Sequence, residues 1–219
     1  YVRSLVFSPD GERLITGGDD GLVKIWDWRN GNEVDRYSEH ESYVYSVKWG
    51  GAGGVIASGG NAAAVVLYDP ESRETVFVSR GGAQDEEYSG GGIFLSADYH
   101  PFGGVLVLGR ADGGIVLCDA ENGELMDEIY GHEDSVWTVR FSPSGDRILS
   151  SSGDGSLRIW SFTDREEIAA FGGFEDMVWT AEFTPDGRYI IAGDASGMLS
   201  IIDTAGPGML LQFSGHADS

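Results

Sequence analysis

Residues Gly131 to Ser161 read GHEDSVWTVRFSPSGDRILSSSGDGSLRIWS, and the same pattern returns along the rest of the chain. A chain that repeats itself uses one supersecondary unit again and again, so the repeat must be read before any single residue is given a role. Aligning on the residue before the closing acid gives Trp26, Tyr68, Cys118, Trp160 and Ile202, followed by Asp27, Asp69, Asp119, Ser161 and Asp203. The spacings are 42, 50, 42 and 42 residues, and the eight extra positions fall in the stretch GGAQDEEYSGGG, residues 81–92. The repeats therefore run over approximately residues 1–38, 39–80, 93–130, 131–172 and 173–214, with an insertion at 81–92.

Within a repeat the letters divide into four short runs. VWTVRF, RILSSS, SLRIW and EEIAAF are rich in β-branched and aromatic residues and are separated by SPSG, GDG and TDR, the composition of strands and tight turns. FSPDG at Phe7 to Gly11, FTPDG at Phe183 to Gly187 and DDG at Asp19 to Gly21 repeat the punctuation. Proline presets one backbone angle and glycine accepts positive φ, so these turns reverse a strand without strain. No helical period intervenes. The 34 glycines belong to this many hairpins and do not indicate disorder, because 41% of the chain is apolar and the apolar residues alternate.

A period of about 40 to 45 residues, four strands per repeat, GH before the first strand and WD after the third resemble the WD-repeat β-propeller family. The resemblance covers essentially the whole chain. It implies an all-β fold, a β-propeller of four-stranded antiparallel blades with five blades in this chain, stacked so that each buries an apolar face too small to be stable alone.

The resemblance also implies a buried hydrogen-bonded tetrad in each blade: a His before the first strand, a Ser or Thr on the second, an Asp in the next turn and the Trp of the third. The fourth repeat has all four, His132, Ser150, Asp154 and Trp160. The first has Thr16, Asp20 and Trp26; the second keeps His40 and Ser58 but has Ala62 and Tyr68. The third keeps Asp112, with Gly90, Leu108 and Cys118 elsewhere, and the fifth has Phe174, Ala192, Ser196 and Ile202. Replacing all partners together leaves no orphaned polar group, so an apolar substitute is physically reasonable.

His, Ser and Asp within one repeat are also the inventory of a hydrolase triad. Here the spacing recurs with the blade and a Trp takes part, which favours structure over catalysis. The rival enzyme reading places carboxylates in a central channel for glycoside hydrolysis; near the axis Glu182 is one acid, and no facing pair can be named. His100, in the turn YHPFG, reads as a surface turn residue. Four His and one Cys are scattered without ligand spacing, so no metal site and no cofactor are expected. Asp85, Glu86 and Glu87 lack the alternation of a calcium loop, and no Lys follows the glycines of their loop as a phosphate cradle requires.

The strongest functional signal lies on the rim. In the family the residues three and five after the GH His, and the one before the turn Asp, face the top opening, where partner peptides commonly dock. The first set is Tyr1 and Arg3, Tyr43 and Tyr45, Ile93 and Leu95, Ser135 and Trp137, Met177 and Trp179. The turn positions are Asp19, Asn61, Ala111, Gly153 and Ala195. Aromatic and Met side chains supply large rigid or adaptable contact area, so this ring is expected to bind a peptide or protein, with packing between blades as the competing use. Trp28 and Trp49 are weaker candidates, Trp49 standing where other repeats have Phe.

Thirty-six acids against fourteen bases give a net charge of −22, and Lys24 and Lys48 are the two lysines. Such a surface repels phosphate backbones and anionic lipid, so neither nucleic acid nor membrane is an expected partner, while basic peptides would be steered toward it. Abundant acids with almost no Lys also resemble proteins of salt-loving cells, where ionic strength screens the self-repulsion. The one thiol gives no disulfide framework, and no apolar run approaches the ~20 residues of a membrane helix. A reducing, cytoplasmic setting is the default expectation.

Joined end to start, GHADS then YVRSLVFSPDG reads as repeat sequence, one residue out of step: His132 to Phe141 is nine positions and His216 through the junction to Phe7 is ten. Either five blades close on themselves or they are consecutive blades of a larger ring, commonly seven in the family, within a longer chain or assembly. The larger ring is the expectation.

Overall fold

A computed structural model describes residues 1–51, 54–61, 64–80, 93–206 and 208–216. Ala62, Gly90 and the acids Asp85, Glu86 and Glu87 lie outside the described residues. The chain folds into five antiparallel sheets of four strands, each formed in sequence order. The first holds β1 (Val2–Phe7), β2 (Leu14–Gly18), β3 (Val23–Asp27) and β4 (Asn32–Tyr37); the second β5 (Val44–Trp49), β6 (Ile56–Gly60), β7 (Ala64–Asp69) and β8 (Glu74–Arg80). The third holds β9 (Phe94–Tyr99), β10 (Val105–Arg110), β11 (Ile115–Asp119) and β12 (Leu125–Ile129); the fourth β13 (Val136–Phe141), β14 (Arg147–Ser152), β15 (Leu157–Ser161) and β16 (Glu167–Phe171). The fifth holds β17 (Val178–Phe183), β18 (Tyr189–Asp194), β19 (Met198–Asp203) and β20 (Met209–Ser214). Among the described residues no helix is long and apolar enough to cross a membrane.

Alternation gives every sheet two apolar faces. In the fourth, Val136, Val139, Phe141 and Ile148 pack toward Val107, Ile115 and Leu117 of the third. Its other face, Leu149, Leu157, Ile159 and Phe171, packs toward Val178, Ala181 and Phe183 of the fifth. Each fully buried aliphatic side chain contributes about 1.5–3 kcal/mol, so these interleaved cores dominate the packing of sheet on sheet, supplemented by hydrogen bonds and ion pairs that cross between neighbours. The first strands β1, β5, β9, β13 and β17 run side by side along the inner edge.

Five sheets in a row make four such cores. Among the described residues no core joins the fifth sheet to the first. Val2, Leu5 and Phe7 are 65%, 59% and 50% exposed, whereas their counterparts Val136, Val139 and Phe141 are 0%, 0% and 6% exposed. Ile191, Leu211 and Phe213 are likewise 44%, 54% and 42% exposed. The five sheets therefore do not adopt the closed five-blade arrangement.

Two irregularities repeat in all five sheets. Opposite the fourth strand, the register shifts between Ile25 and Trp26, Leu67 and Tyr68, Leu117 and Cys118, Ile159 and Trp160, and Ile201 and Ile202. At the start of the first strand it skips one residue: Arg3, Tyr45, Leu95, Trp137 or Trp179. A bulge leaves one extra residue unpaired and re-aims its side chain.

Candidate protein-interaction surface

The fourth sheet shows how a blade holds its rim. Trp160 donates its indole N–H to Ser150 Oγ (2.8 Å), His132 Nε2 lies 2.7 Å from the same oxygen, and His132 Nδ1 lies 2.9 Å from Asp154 Oδ2. With Ser150 accepting from Trp160 and donating to Nε2, the imidazole is neutral and carries its proton on Nδ1, facing the carboxylate. Burial alone would raise the Asp154 carboxyl, but hydrogen bonds from Ser156, His132 and the Glu133 amide together outweigh it and bring it down to about 2. Burial lowers His132, against the pull of Asp154. Ser150 is fully buried, and its hydroxyl accepts from the indole and donates to the imidazole, so this His, Ser and Asp form a brace between turn and strand. The turn itself needs glycine at Gly113 in the third sheet, where φ is +91° and a Cβ would stand 2.5 Å from the His132 carbonyl oxygen.

The other sheets solve the same problem differently. In the first, Trp26 donates to Thr16 Oγ1 (2.9 Å) and Asp20 accepts the Leu22 amide (3.2 Å); with Tyr1 and Lys24 among their neighbours, these three side chains line a cavity of about 270 Å³. In the second, His40 Nε2 lies 2.7 Å from Ser58 Oγ, but the donor that replaces the indole is the Tyr37 hydroxyl, 3.0 Å away on β4 of the preceding sheet. Tyr68, at the Trp position, stacks on Tyr37 at 4.4 Å and donates instead to Asp35 (2.7 Å). Burial first, then Asp35, pushes its hydroxyl up to about 12.

The third sheet replaces the tetrad by charge. Leu108 and Cys118 are buried in the apolar core, and Arg110, only 2% exposed, binds Asp112 and Glu128 at 2.9 Å each and the Tyr130 hydroxyl at 3.3 Å. Asp112 thus serves a guanidinium where Asp154 serves an imidazole. In the fifth, Ala192, Ile202 and Phe174 are packed in an apolar core, and Ser196 donates to Asp194. Nothing in the repeat pattern marks Tyr37 or Arg110, since neither occupies a tetrad position. His100 also differs from a plain surface turn residue: half-buried, it donates to the Gly145 carbonyl (3.1 Å) and packs against Phe141 and Phe162, both 4.9 Å away, tying the third sheet to the fourth.

Above these braces the rim positions fall into one recurring device. The backbone N–H of Asp19, Asn61, Ala111, Gly153 and Ala195 donates to the carbonyl of Tyr1, Tyr43, Ile93, Ser135 and Met177 respectively, at 2.8 or 2.9 Å in every sheet. Two residues further on stands the bulged residue, Arg3, Tyr45, Leu95, Trp137 or Trp179. The two rings read from the sequence are therefore a clamp and the side chain that the clamp and bulge together present.

Those side chains meet in two groups. Arg3 pairs with Asp19 and lies 5.3 Å and 5.7 Å from the Tyr43 and Tyr45 ring centres, and the two tyrosines are edge to face at 6.1 Å. The Arg3 hydrogen bond holds the Asp19 carboxyl below its usual range. Trp137 and Trp179 are 4.3 Å apart at 53°, with Trp179 44% exposed and Trp137 Nε1 buried with no hydrogen-bond partner among the described residues. Tyr1 is almost fully exposed; Ile93, Leu95, Met177 and Asn61 are half-buried. Trp28 caps Phe7 edge to face at 5.8 Å and donates to the Gly11 carbonyl (3.0 Å), while Trp49 packs against the core between the first two sheets. Among the described residues no group of three or more His, Cys, Asp or Glu is placed to hold a metal.

Repeated four-stranded sheets, inner first strands and a His–Ser–Trp–Asp brace define a β-propeller-type repeat protein. The comparisons agree: the family described as WD domain, G-beta repeat, matches residues 1–27, 31–69, 123–161 and 165–203, and the chain belongs to it. It is 29% identical over 140 residues to Periodic tryptophan protein 2 homolog of Dictyostelium discoideum, covering 62% of this chain and 14% of that protein. It is 45% identical over 49 residues to General transcriptional corepressor TUP1 of Saccharomyces cerevisiae, covering 22% and 7%. To F-box-like/WD repeat-containing protein TBL1X of Mus musculus it is 32% identical over 73 residues, covering 33% and 14%. The chain thus matches only a small part of the length of these relatives.

Proposed function

We propose that the chain is a non-catalytic display module that binds a basic peptide segment of a partner protein on the rim face. The observation that carries this reading is the row of bulged residues, Arg3, Tyr45, Leu95, Trp137 and Trp179, each set out of register by its own sheet. A residue released from the ladder at the same place in five sheets presents one surface, and rigid sheets below keep it from rearranging. Aromatic side chains supply large contact area at low entropic cost, and exposed Asp20, Glu41, Glu133, Asp134, Glu175 and Asp176 in the rim loops favour a cationic partner. Arg3, held between Asp19 and two tyrosines of the chain itself, supports a cationic partner by its chemistry. Cation–π contact of this kind contributes about 0.5–1 kcal/mol at exposed sites.

Titrating the protein's tryptophan fluorescence with an oligo-arginine and an oligo-glutamate peptide tests the reading. The arginine peptide should quench, with an affinity that falls at high salt and drops in Trp179→Ala and Tyr45→Ala. Equal response to both peptides, or unchanged affinity in both variants, would sink it.

A further inference from the structure

At the end of the sheets opposite the rim, the turn between first and second strands meets the turn between third and fourth. The residue after the closing acid or serine stands here: Trp28, Pro70, Ala120, Phe162 and Thr204 in the five repeats. So does the glycine of the first turn, Gly11, Gly103, Gly145 and Gly187 among the described residues. In three sheets the carbonyl of that glycine accepts a side-chain donor. Trp28 gives its indole N–H to Gly11 (3.0 Å), His100 its imidazole N–H to Gly145 (3.1 Å) and Thr204 its hydroxyl to Gly187 (3.1 Å). In two sheets a ring also covers the aromatic residue that ends the first strand: Trp28 meets Phe7 edge to face at 5.8 Å, and Phe162 meets Phe141 at 5.4 Å.

The third sheet has this frame without the ring. Tyr99 ends its first strand as Phe7 and Phe141 end theirs, but Ala120 takes the place of Trp28 and Phe162. The turns still meet as elsewhere, the Ala120 amide donating to the Gly104 carbonyl (3.2 Å) as the Phe162 amide donates to Asp146 (2.9 Å). Among the described residues no donor reaches the Gly103 carbonyl. The second sheet does not close the gap either. Its facing turn has Gly50 and Gly51, and Tyr99, donating to the Val55 carbonyl (3.1 Å), takes up the space over Gly50, where an added Cβ would stand 3.2 Å from its ring. What is left between the second and third sheets is a cavity of about 370 Å³, lined by Gly51, Tyr99, Gly103 and Ala120, with Phe102, 77% exposed, on its wall.

We propose that this cavity is a binding site for the tryptophan side chain of a partner protein, on the face opposite the rim and independent of what the rim binds. Two observations select that occupant. The chain itself sets an indole at the corresponding place of the first sheet, packed edge to face on Phe7 and bonded to the Gly11 carbonyl. The unmet Gly103 carbonyl requires a donor on the same ring that covers Tyr99, which phenylalanine and aliphatic side chains lack. Burial of the ring supplies most of the affinity and the N–H fixes its orientation. Phe102 and Glu121, both exposed, leave the cavity open on one side, so a ring can enter while the chain that carries it stays outside.

The test uses the full chain, followed by amide and methyl NMR spectra. N-acetyl-tryptophanamide, which is uncharged and so not drawn to an acidic rim, is titrated against its ring-N-methylated analogue, N-acetyl-leucinamide and free indole. The capped tryptophan should shift the Gly103, Gly104 and Ala120 signals saturably, and the leucine derivative should leave them in place. Methylation of the ring nitrogen should weaken binding about fivefold, the worth of one hydrogen bond. Ala120→Phe, which installs the ring of the fourth sheet, should weaken it by about tenfold or more while holding or raising the melting temperature. Phe102→Ala, at an exposed position, guards against a core variant that does not fold and should weaken binding about threefold. Unmoved signals at the three positions, equal shifts by the leucine derivative, equal affinity of the methylated analogue, or undiminished binding in folded Ala120→Phe overturns the proposal. Much tighter binding of free indole than of the capped tryptophan also overturns it, since the occupant would then be a small aromatic compound and not a side chain. The probe is neutral and its readout local, so a negative result here leaves the arginine-peptide test of the rim standing.

Discussion

Tyr37 donates its hydroxyl to Ser58 across 3.0 Å although the two belong to different sheets. The same serine oxygen in the fourth sheet takes an indole N–H from within its own sheet. The brace below the rim is thus conserved as an atom to be satisfied and not as a residue that satisfies it. A buried acceptor is indifferent to the source of its donor, provided geometry and desolvation are met.

From that relationship, Tyr37→Phe should cost about 1 kcal/mol, the net worth of one hydrogen bond, and Ser58→Ala more, about 2 kcal/mol, because it strands both the phenol and His40. Chemical denaturation of the two variants orders them; a larger loss in Tyr37→Phe would contradict the assignment.

Asp154→Ala removes the acceptor of His132, Ser156 and the Glu133 amide and should cost about 2 kcal/mol or more. From sequence, Asp112 sits in a broken tetrad and Asp112→Ala should matter less. The structure gives Asp112 a load that a broken tetrad does not imply, because it pairs with Arg110, whose side chain is 2% exposed. Asp112→Ala should therefore also cost about 1–3 kcal/mol, the penalty of under-pairing a buried charge. Thermal melts of both variants decide it.

Stability should fall on mild acidification. Burial depresses His40 from 6.5 to about 4, so protons favour the unfolded chain. Its contribution is complete above pH 6.5 and is lost as pH falls from 6.5 to 4, at most roughly 3 kcal/mol for 2.5 units. Asp154 acts lower down: depressed from 3.8 to about 2, its contribution is present above pH 3.8 and is lost between 3.8 and 2. Urea unfolding at pH 7, 5 and 4 should show His40→Gln with a shallower slope than the parent, His132 keeping part of it. Parallel slopes would refute this.

On the rim, Trp179→Ala should leave the melting temperature nearly unchanged, since the side chain is 44% exposed and surface substitutions usually stay within about 0.5 kcal/mol. Trp137→Ala should cost more, because Trp137 is the more buried member of the pair. A Trp179→Ala variant that unfolds readily would mean the ring is packing and not surface.

Much of this was legible in the chain itself. Strand punctuation, the period and the positions of His132, Ser150, Asp154 and Trp160 are local pattern, fixed by which residues turn, alternate or demand a partner. The places of the clamp and bulge residues within each repeat were legible too, as a register carried from one copy to the next. Their projection was not, because a bulge is a mismatch between two strands and neither strand records it alone.

The sequence by itself determined the repeating unit, the all-β class and the five four-stranded sheets, since each rests on contacts between residues a hairpin apart. Tertiary structure decided the rest. It chose Tyr37 over Tyr68 as the donor to Ser58, buried Arg110 between Asp112 and Glu128, and left the faces of Leu5 and Ile191 apart. Each of these depends on what one sheet brings to the next, and packing between sheets is a property of the assembled surface, to which the period of the chain contributes no information.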